Sequence, residues 1–472
     1  MEQKTGITKT YSKKFLWRQR IGFGISDYAC NLAYLMVNTY LLIYYTDVAG
    51  LNAAAVGFMF LVTKFFDAFT DYVVGTLIDK TNTKMGRNRP WMLAGAPVLA
   101  IGMVLVFTSP DFSQSGKMIW AYATYIIFSF GYTLVNIPMG SILPTLSSDP
   151  TERTKIVTSR TIFSNLGSLT SASMALFLIS RLGGGDVATG YRNTNIIFGI
   201  IVVIILFICV FNIKEINPAP KVVKKTSIVN DLGSLVKNKP YMLMLAQTFF
   251  LFVGYLGMFA TIAYYFKYIV GDEMLTSVAV SLLTIVPIVS MLMSGVMNQK
   301  VSKKNISILG TAIQILGFAL LFIAKESISI IYLSIGVIGF GMGFRQTMFF
   351  SMLADTVDYG EWKNGKNLAG TQTAVSGFIN KVASASASAI AAGLLAWGAY
   401  DGAAAVQSAS ANTAITIAFI GIPIVCNVAC IIILFFYDLD KIYPKIKREM
   451  DERRALNENE ENAYVEDRKS VV

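Results

Sequence analysis

Histidine is absent from the 472 residues, which excludes imidazole zinc sites, Ser-His and Cys-His dyads and histidine proton relays. Any titrating group is therefore a carboxylate, lysine, tyrosine or cysteine. Cysteine is sparse, and Cys30, Cys209, Cys426 and Cys430 all lie inside apolar runs. Even Cys426 and Cys430, one helical turn apart, read as small packing residues and not as a redox pair. Charged residues make up only 15% of the chain, whereas soluble chains carry about a quarter. The start, MEQKTGITKTYSKKFLWRQR, lacks an early apolar core with a small-residue cleavage site. A cleaved signal is therefore not expected, and the first apolar span is the targeting element.

What the chain has instead is apolar length. It is 54% hydrophobic with a mean hydropathy of +0.55, and apolar runs long enough for a helix to cross the hydrocarbon core recur from Ile21 to Tyr437. All-round apolarity without alternation excludes an outer-membrane barrel. The expected fold is all-α and membrane-integral. Twelve spans are predicted, near 21–46, 52–78, 91–109, 118–145, 157–180, 194–213, 241–270, 275–298, 305–324, 328–353, 368–398 and 411–437. The longest connector, 214–240, is basic and carries Pro218 and Pro220. It divides the spans six and six, giving an arm over 1–20, halves over 21–213 and 241–437, and a tail over 438–472.

The net charge of +11 fits cytoplasmic loops better than a nucleic-acid partner. With the N-terminus inside, about thirty of the basic residues fall in cytoplasmic segments. The opposite loops hold Lys117, Arg181, Arg192 and Lys325. Both termini are therefore expected in the cytoplasm of a cell-membrane protein. The tail alternates acids and bases and reads as an interfacial helix followed by a disordered end.

Ionised groups at mid-bilayer cost about 2.5 to 3.5 kcal/mol each on insertion scales, so acids inside spans point to function. Lys64, Asp67 and Asp71 share one helical face. The two carboxylates either offer hard oxygen ligands to a small cation such as sodium or share a proton, and Lys64 partly neutralises the empty site. A purely structural ion-pair cluster is the alternative, although one acid would have satisfied Lys64. Span one contributes Asp27, Asn31 and Tyr34; span four Tyr132, Thr133, Asn136 and Pro138; span five Arg160; span eleven Gln372, Asn380 and Lys381. Together these imply a wet central cavity suited to a hydroxyl-rich ligand. The serines at 384, 386 and 388 read as close helix packing.

A weak internal repeat joins Gly75-x-x-x-Asp79-Lys80, followed by Gly86-Arg87-Asn88-Arg89, to Gly295-x-x-x-Gln299-Lys300-x-Ser302-Lys303-Lys304. It resembles the loop signature of the major facilitator superfamily, in which an acid followed by bases engages a neighbouring helix end as two halves rock. Asp79 and Arg87, with Asp355, Asp358 and Glu361 at the end of span ten, are the expected cytoplasmic gate, the last three pairing with bases of the opposite half.

Four motifs then coincide: Asp67-Ala-Phe-Thr-Asp71-x-x-x-Gly75-x-x-x-Asp79, Gly86-Arg-Asn-Arg-Pro90-Trp91, Asn136-Ile-Pro138 and Ala354-Asp-x-x-Asp358-Tyr-Gly-Glu361. Together they resemble the glycoside-pentoside-hexuronide:cation symporters over nearly all twelve spans. The resemblance implies the major facilitator fold, a coupling cation (Na+ or H+) on Asp67 and Asp71, and a sugar held by Asp27, Asn31, Tyr132, Asn136, Arg160 and Lys381. Neither a cofactor nor a nucleic-acid partner is implied; the partners are sugar, cation and membrane lipid. Melibiose-transporting members carry aspartates where this chain has Asn31 and Asn136, and a tryptophan where it has Gly140. That points away from α-galactosides and toward the xyloside and glucuronide branches, which share Asn-Ile-Pro. Tyr72 replaces the family's proline after the second acid. Two other readings are an integral membrane glycosyl or acyl transferase, which needs a metal-binding acidic loop or a histidine base, and a lipid transporter, which needs a greasier cavity.

Overall fold

The computed structural model describes residues 11–147, 149–216, 228–324, 327–365, 368–404, 406–450 and 452. It is helical throughout: the described residues contain no β-strand, only one isolated bridge between Thr83 and Gly86. In chain order the helices are α1 (Lys13–Ile43), α2 (Ala53–Lys80), α3 (Arg89–Val106), α4 (Gln114–Leu146), α5 (Pro150–Leu182), α6 (Val187–Asn212) and the short α7 (Ile228–Val236). These are followed by α8 (Lys239–Tyr264), α9 (Leu275–Met297), α10 (Lys303–Ile323), α11 (Ile328–Asn364), α12 (Ala369–Trp397), α13 (Ala409–Thr416) and α14 (Ile422–Phe435). A π turn at Tyr44–Val48 extends α1, one at Tyr265–Val270 extends α8, and one at Ile417–Gly421 joins α13 to α14.

Eleven helical segments among the described residues are long and apolar enough to cross a membrane. The twelfth crossing is α1, whose mean hydropathy is lowered by Asp27, Asn31 and Asn38. The side chains suit an apolar surrounding: α2 exposes Phe58, Phe65, Phe69 and Tyr72 along one stripe, at 63%, 65%, 64% and 76%, while burying Asp67 on another. Water would not tolerate such a stripe. With Tyr72 in place of a proline, α2 runs unbroken.

Two compact units emerge from the packing: Met1–Lys221 with Phe259–Thr284 and Ser388–Phe419, and Val222–Met258 with Ile285–Ala387 and Ile420–Val472. In the first, α1 lies along α5 and α3 along α4. Small residues permit these approaches, as expected where lipid supplies no hydrophobic force between helices. Gly167 of α5 rests on the Tyr28 backbone of α1, and Gly131 of α4 on the backbone of Leu99 of α3. In the second unit Gly310 of α10 and Gly341 of α11 meet backbone to backbone.

Candidate functional site

The site begins with the register of α2 against α4. Asp67 and Asp71 are one turn apart on α2, and Ser129 and Thr133 are one turn apart on α4, so two rungs form between the helices. Ser129 Oγ donates to Asp67 Oδ1, and Thr133 Oγ1 donates to Asp71 Oδ1 at 2.8 Å. Lys64 Nζ stands 3.3 Å from Asp67 Oδ2 and 5.8 Å from the centre of the Tyr125 ring. Asp67 is buried. Two carboxylates and two hydroxyls are all hard oxygen donors. Among the described residues no group of three or more acidic, cysteine or histidine side chains is placed to hold a metal ion, so any cation held here takes its remaining ligands from neutral oxygens, the Ser129 and Thr133 hydroxyls being the nearest shown. Ser129 carries no charge signal in the sequence; its four-residue offset from Thr133, matching Asp67 to Asp71, is the pattern that finds it.

On α1 and α5, Asp27 and Arg160 form an ion pair, Nε to Oδ2 at 3.2 Å and Nη2 to Oδ1 at 3.3 Å. Arg160 also lies over the Phe23 ring at 5.9 Å. Asn31 donates its amide to the Asp27 carbonyl at 2.9 Å, which leaves its side-chain oxygen as an acceptor. Tyr34 and Tyr132 stand 6.0 Å apart, and Asn136 is half-buried one turn beyond Tyr132 on α4. The first unit thus brings together an ion pair, two amides and two phenols, groups that hydrogen-bond sugar hydroxyls and stack on sugar faces. Lys381 is half-buried on α12, in the second unit. A separate cavity of about 390 Å³ between α3 and α6 is lined by aliphatic side chains such as Ile101, Val104, Ile200 and Ile204. It offers a sugar nothing to bind.

The expected gate residues fall into two groups. Arg87 pairs with Asp79 and donates to the Ile78 carbonyl at 2.9 Å. Beside them, Glu215 accepts from the backbone N–H of Asn88 at 2.8 Å and of Arg89 at 3.3 Å, so a carboxylate sits at the positive start of α3. In the second unit Lys303 holds both oxygens of Asp355 at 2.8 and 2.6 Å. Tyr443 donates to Asp358 at 2.6 Å, and Gly365 N–H bonds the Glu361 carbonyl at 2.8 Å. Tyr443 belongs to a helix over 439–450 that buries Leu439, Ile446 and Met450 against α10 and α11 and whose Glu449 accepts from Trp362 at 2.7 Å. The tail therefore begins as a helix seated on protein; the end expected to be disordered lies outside the described residues.

Sequence reasoning missed a third cluster, at the end of α1 remote from its N-terminus. The Asp47 side chain is 3% exposed and receives Lys267 Nζ at 2.5 Å. Tyr268 donates to the same carboxylate at 2.6 Å, Thr46 at 2.7 Å, and Tyr400 also donates to it. This knot ties α1 to the π turn after α8 and to the loop after α12. Nearby, burial pushes the Glu273 carboxyl above the usual glutamate range, with Lys267 opposing the rise and Asp47 adding to it. A raised carboxyl pKa contributes stability that is fully present below the ordinary glutamate value of about 4.3 and is lost as pH rises through the raised value. Thermal unfolding of the wild type should therefore show a stability loss with rising pH that Glu273→Gln lacks; equal slopes for the two proteins would refute it.

Residues 22–441 match the model of a family described as MFS/sugar transport protein. The chain is 35% identical over 457 residues to the isoprimeverose transporter of Lactiplantibacillus pentosus, covering 96% of this chain and 94% of that one. To the glucuronide carrier protein homolog of Escherichia coli (strain K12) it is 29% identical, covering 95% and 98%. To the putative glycoside/cation symporter YagG of the same organism it is 31% identical, covering 93% and 95%. Among solved structures, a bacterial homolog of the human lysosomal transporter Spinster, inward-facing and unoccupied, superposes with a TM-score of 0.65 at 13% identity, covering 92% and 99%. The nucleoside transporter NupG does so with 0.61 at 15%, covering 89% and 99%.

Proposed function

Because this chain belongs to the MFS sugar-transport family, within its glycoside-pentoside-hexuronide:cation symporters, we propose that it imports a xyloside or glucuronide, coupled to Na+ or H+ bound at Asp67 and Asp71. It is a secondary transporter of the major facilitator fold and not an enzyme. The observation that carries the coupling is the pair of acid–hydroxyl rungs between α2 and α4, which sets two carboxylates one turn apart, the first of them beside Lys64, inside a membrane-crossing helix. A site of this kind changes its net charge when a cation or proton arrives, and that change is what links ion and sugar movement.

In this reading the protein resides in the cell membrane with both termini cytoplasmic, 21–213 and 241–437 act as the two moving halves, and the Asp47 knot faces outside. The gate acids and bases around Asp79, Arg87, Asp355, Asp358 and Glu361 face the cytoplasm. Sugar is held by Asp27, Asn31, Tyr132, Asn136, Arg160 and Lys381. Asn31 and Asn136 remove two negative charges that galactoside-binding relatives of this family present, while Arg160 and Lys381 remain as donors, so a neutral xyloside or an anionic glucuronide is tolerated. The relatives named for glucuronide and for isoprimeverose support a glycoside substrate.

Competition against radiolabelled sugar uptake tests it. β-Xylosides, isoprimeverose or glucuronides are expected to outcompete melibiose, and Lys381→Ala to weaken an anionic sugar more than a neutral one. Melibiose emerging as the best competitor would overturn the substrate assignment. Unaltered sugar affinity in Lys381→Ala, with impaired coupling, would move Lys381 to the cation site.

A further inference from the structure

The transport reading leaves one ionised group without a task. Arg345 lies on α11 inside a membrane-crossing helix and is 5% exposed. Its Nη1 donates to Asn427 Oδ1 at 2.5 Å, its Nε has no partner, and among the described residues no carboxylate forms an ion pair with it. A guanidinium stays protonated in any protein environment. One amide oxygen anchors an end of it but leaves the positive charge uncompensated, and charges inside membranes persist where they are paired or used. Packing does not require the arginine, since α11 already meets α10 through Gly341 and Gly310.

Beside the guanidinium is a cavity of about 30 Å³, lined by Leu251, Phe252 and Tyr255 of α8 and by Met342, Gln346 and Phe349 of α11. That volume takes a few heavy atoms. A water molecule would satisfy the free N–H but not the charge. We propose that this cavity binds a small monovalent anion, with Arg345 Nε as the charged donor and the Gln346 and Tyr255 side chains as its polar neighbours. A free halide and the carboxylate of a transported sugar acid both supply that chemistry; only the second source rests on the sugar-transport reading.

The test is thermal unfolding of the detergent-purified full chain in sodium methanesulfonate, whose tetrahedral sulfonate head is bulkier than a halide or a planar carboxylate. Sodium chloride, sodium glucuronate or glucose is titrated in at constant ionic strength. A saturable rise in the midpoint with chloride identifies a halide site. A rise with glucuronate, absent with glucose and with chloride and lost in R345L or weakened in R345K, identifies the sugar carboxylate at this cavity and not at Lys381. Either response should vanish in R345L. In R345K, which keeps the charge but not the planar donor set, the midpoint concentration should increase about tenfold or more. Should R345L fail to fold, R345K carries the comparison. No response to chloride or glucuronate in the wild type, or an undiminished response in both variants, overturns the proposal. Uptake of a neutral xyloside by the wild type, measured in parallel, reports on the transport reading separately.

Discussion

Asp71→Asn is expected to abolish uphill accumulation of sugar while leaving downhill exchange in place. An asparagine keeps the shape and still meets Thr133, which donates to Asp71 at 2.8 Å in the wild type, but it carries no charge to exchange for a cation. One positive charge moving inward gains about 2.3 kcal/mol per 100 mV. Since about 1.4 kcal/mol is a factor of ten, one-for-one coupling supports roughly fifty-fold accumulation for each 100 mV, and that gradient is what the variant should lose. Measured in energised vesicles, the inside-to-outside ratio falls to unity while counterflow of preloaded sugar continues. Wild-type accumulation by Asp71→Asn would remove Asp71 from the coupling site. Asp67→Asn is the less clean experiment, because it also takes the carboxylate that stands 3.3 Å from Lys64 and so disturbs the packing of α2.

Asp47→Ala is expected to unfasten the end of α1 that the proposed orientation places outside. The substitution removes a buried acceptor serving Lys267, Tyr268, Tyr400 and Thr46. Stripping one partner from a buried charged network costs about 3 to 5 kcal/mol, which converts to a shift of roughly 10²- to 4 × 10³-fold in the balance between the fastened and unfastened knot. The four native cysteines are buried, so a cysteine at Thr39, itself fully buried two turns below Asp47 on α1, serves as a reporter. Its labelling by an impermeant maleimide from outside should accelerate by about the same factor in Asp47→Ala, and by less in Asp47→Asn, which retains an acceptor oxygen. Equal labelling rates and wild-type transport in Asp47→Ala would show that the knot is not a closure.

The membrane helices were legible because lipid makes the rule simple: a long apolar run must be a helix. The acids of α2 were legible for the converse reason, since charge inside such a run is costly. Asp47 and Lys267 were not, because each lies at the end of a span, where charge is cheap; their meaning arises only where α1, α8 and the 400 loop meet. Ser129 was hidden as an ordinary small residue. The acidic stretch from Asp355 read as the end of a helix, yet α11 continues to Asn364. Its stop is Gly365, whose φ of 66° suits glycine and few others. The tail reads as membrane-seeking because its apolar residues have helical spacing; the acceptors and donors it meets on α11 are far away in sequence.

The unbroken run of α11 has a mechanical corollary. Its 37 residues span about 55 Å at 1.5 Å per residue, so a small tilt of the helix is magnified at its extremity. There the 439–450 helix is fastened by Tyr443 to Asp358 and by Glu449 to Trp362. Whatever angle α11 adopts during turnover, that terminal helix follows it as the needle of a gauge follows its spindle. A fluorophore on the exposed side of the 439–450 helix would therefore register the transport cycle in real time, at a site that touches neither sugar nor ion.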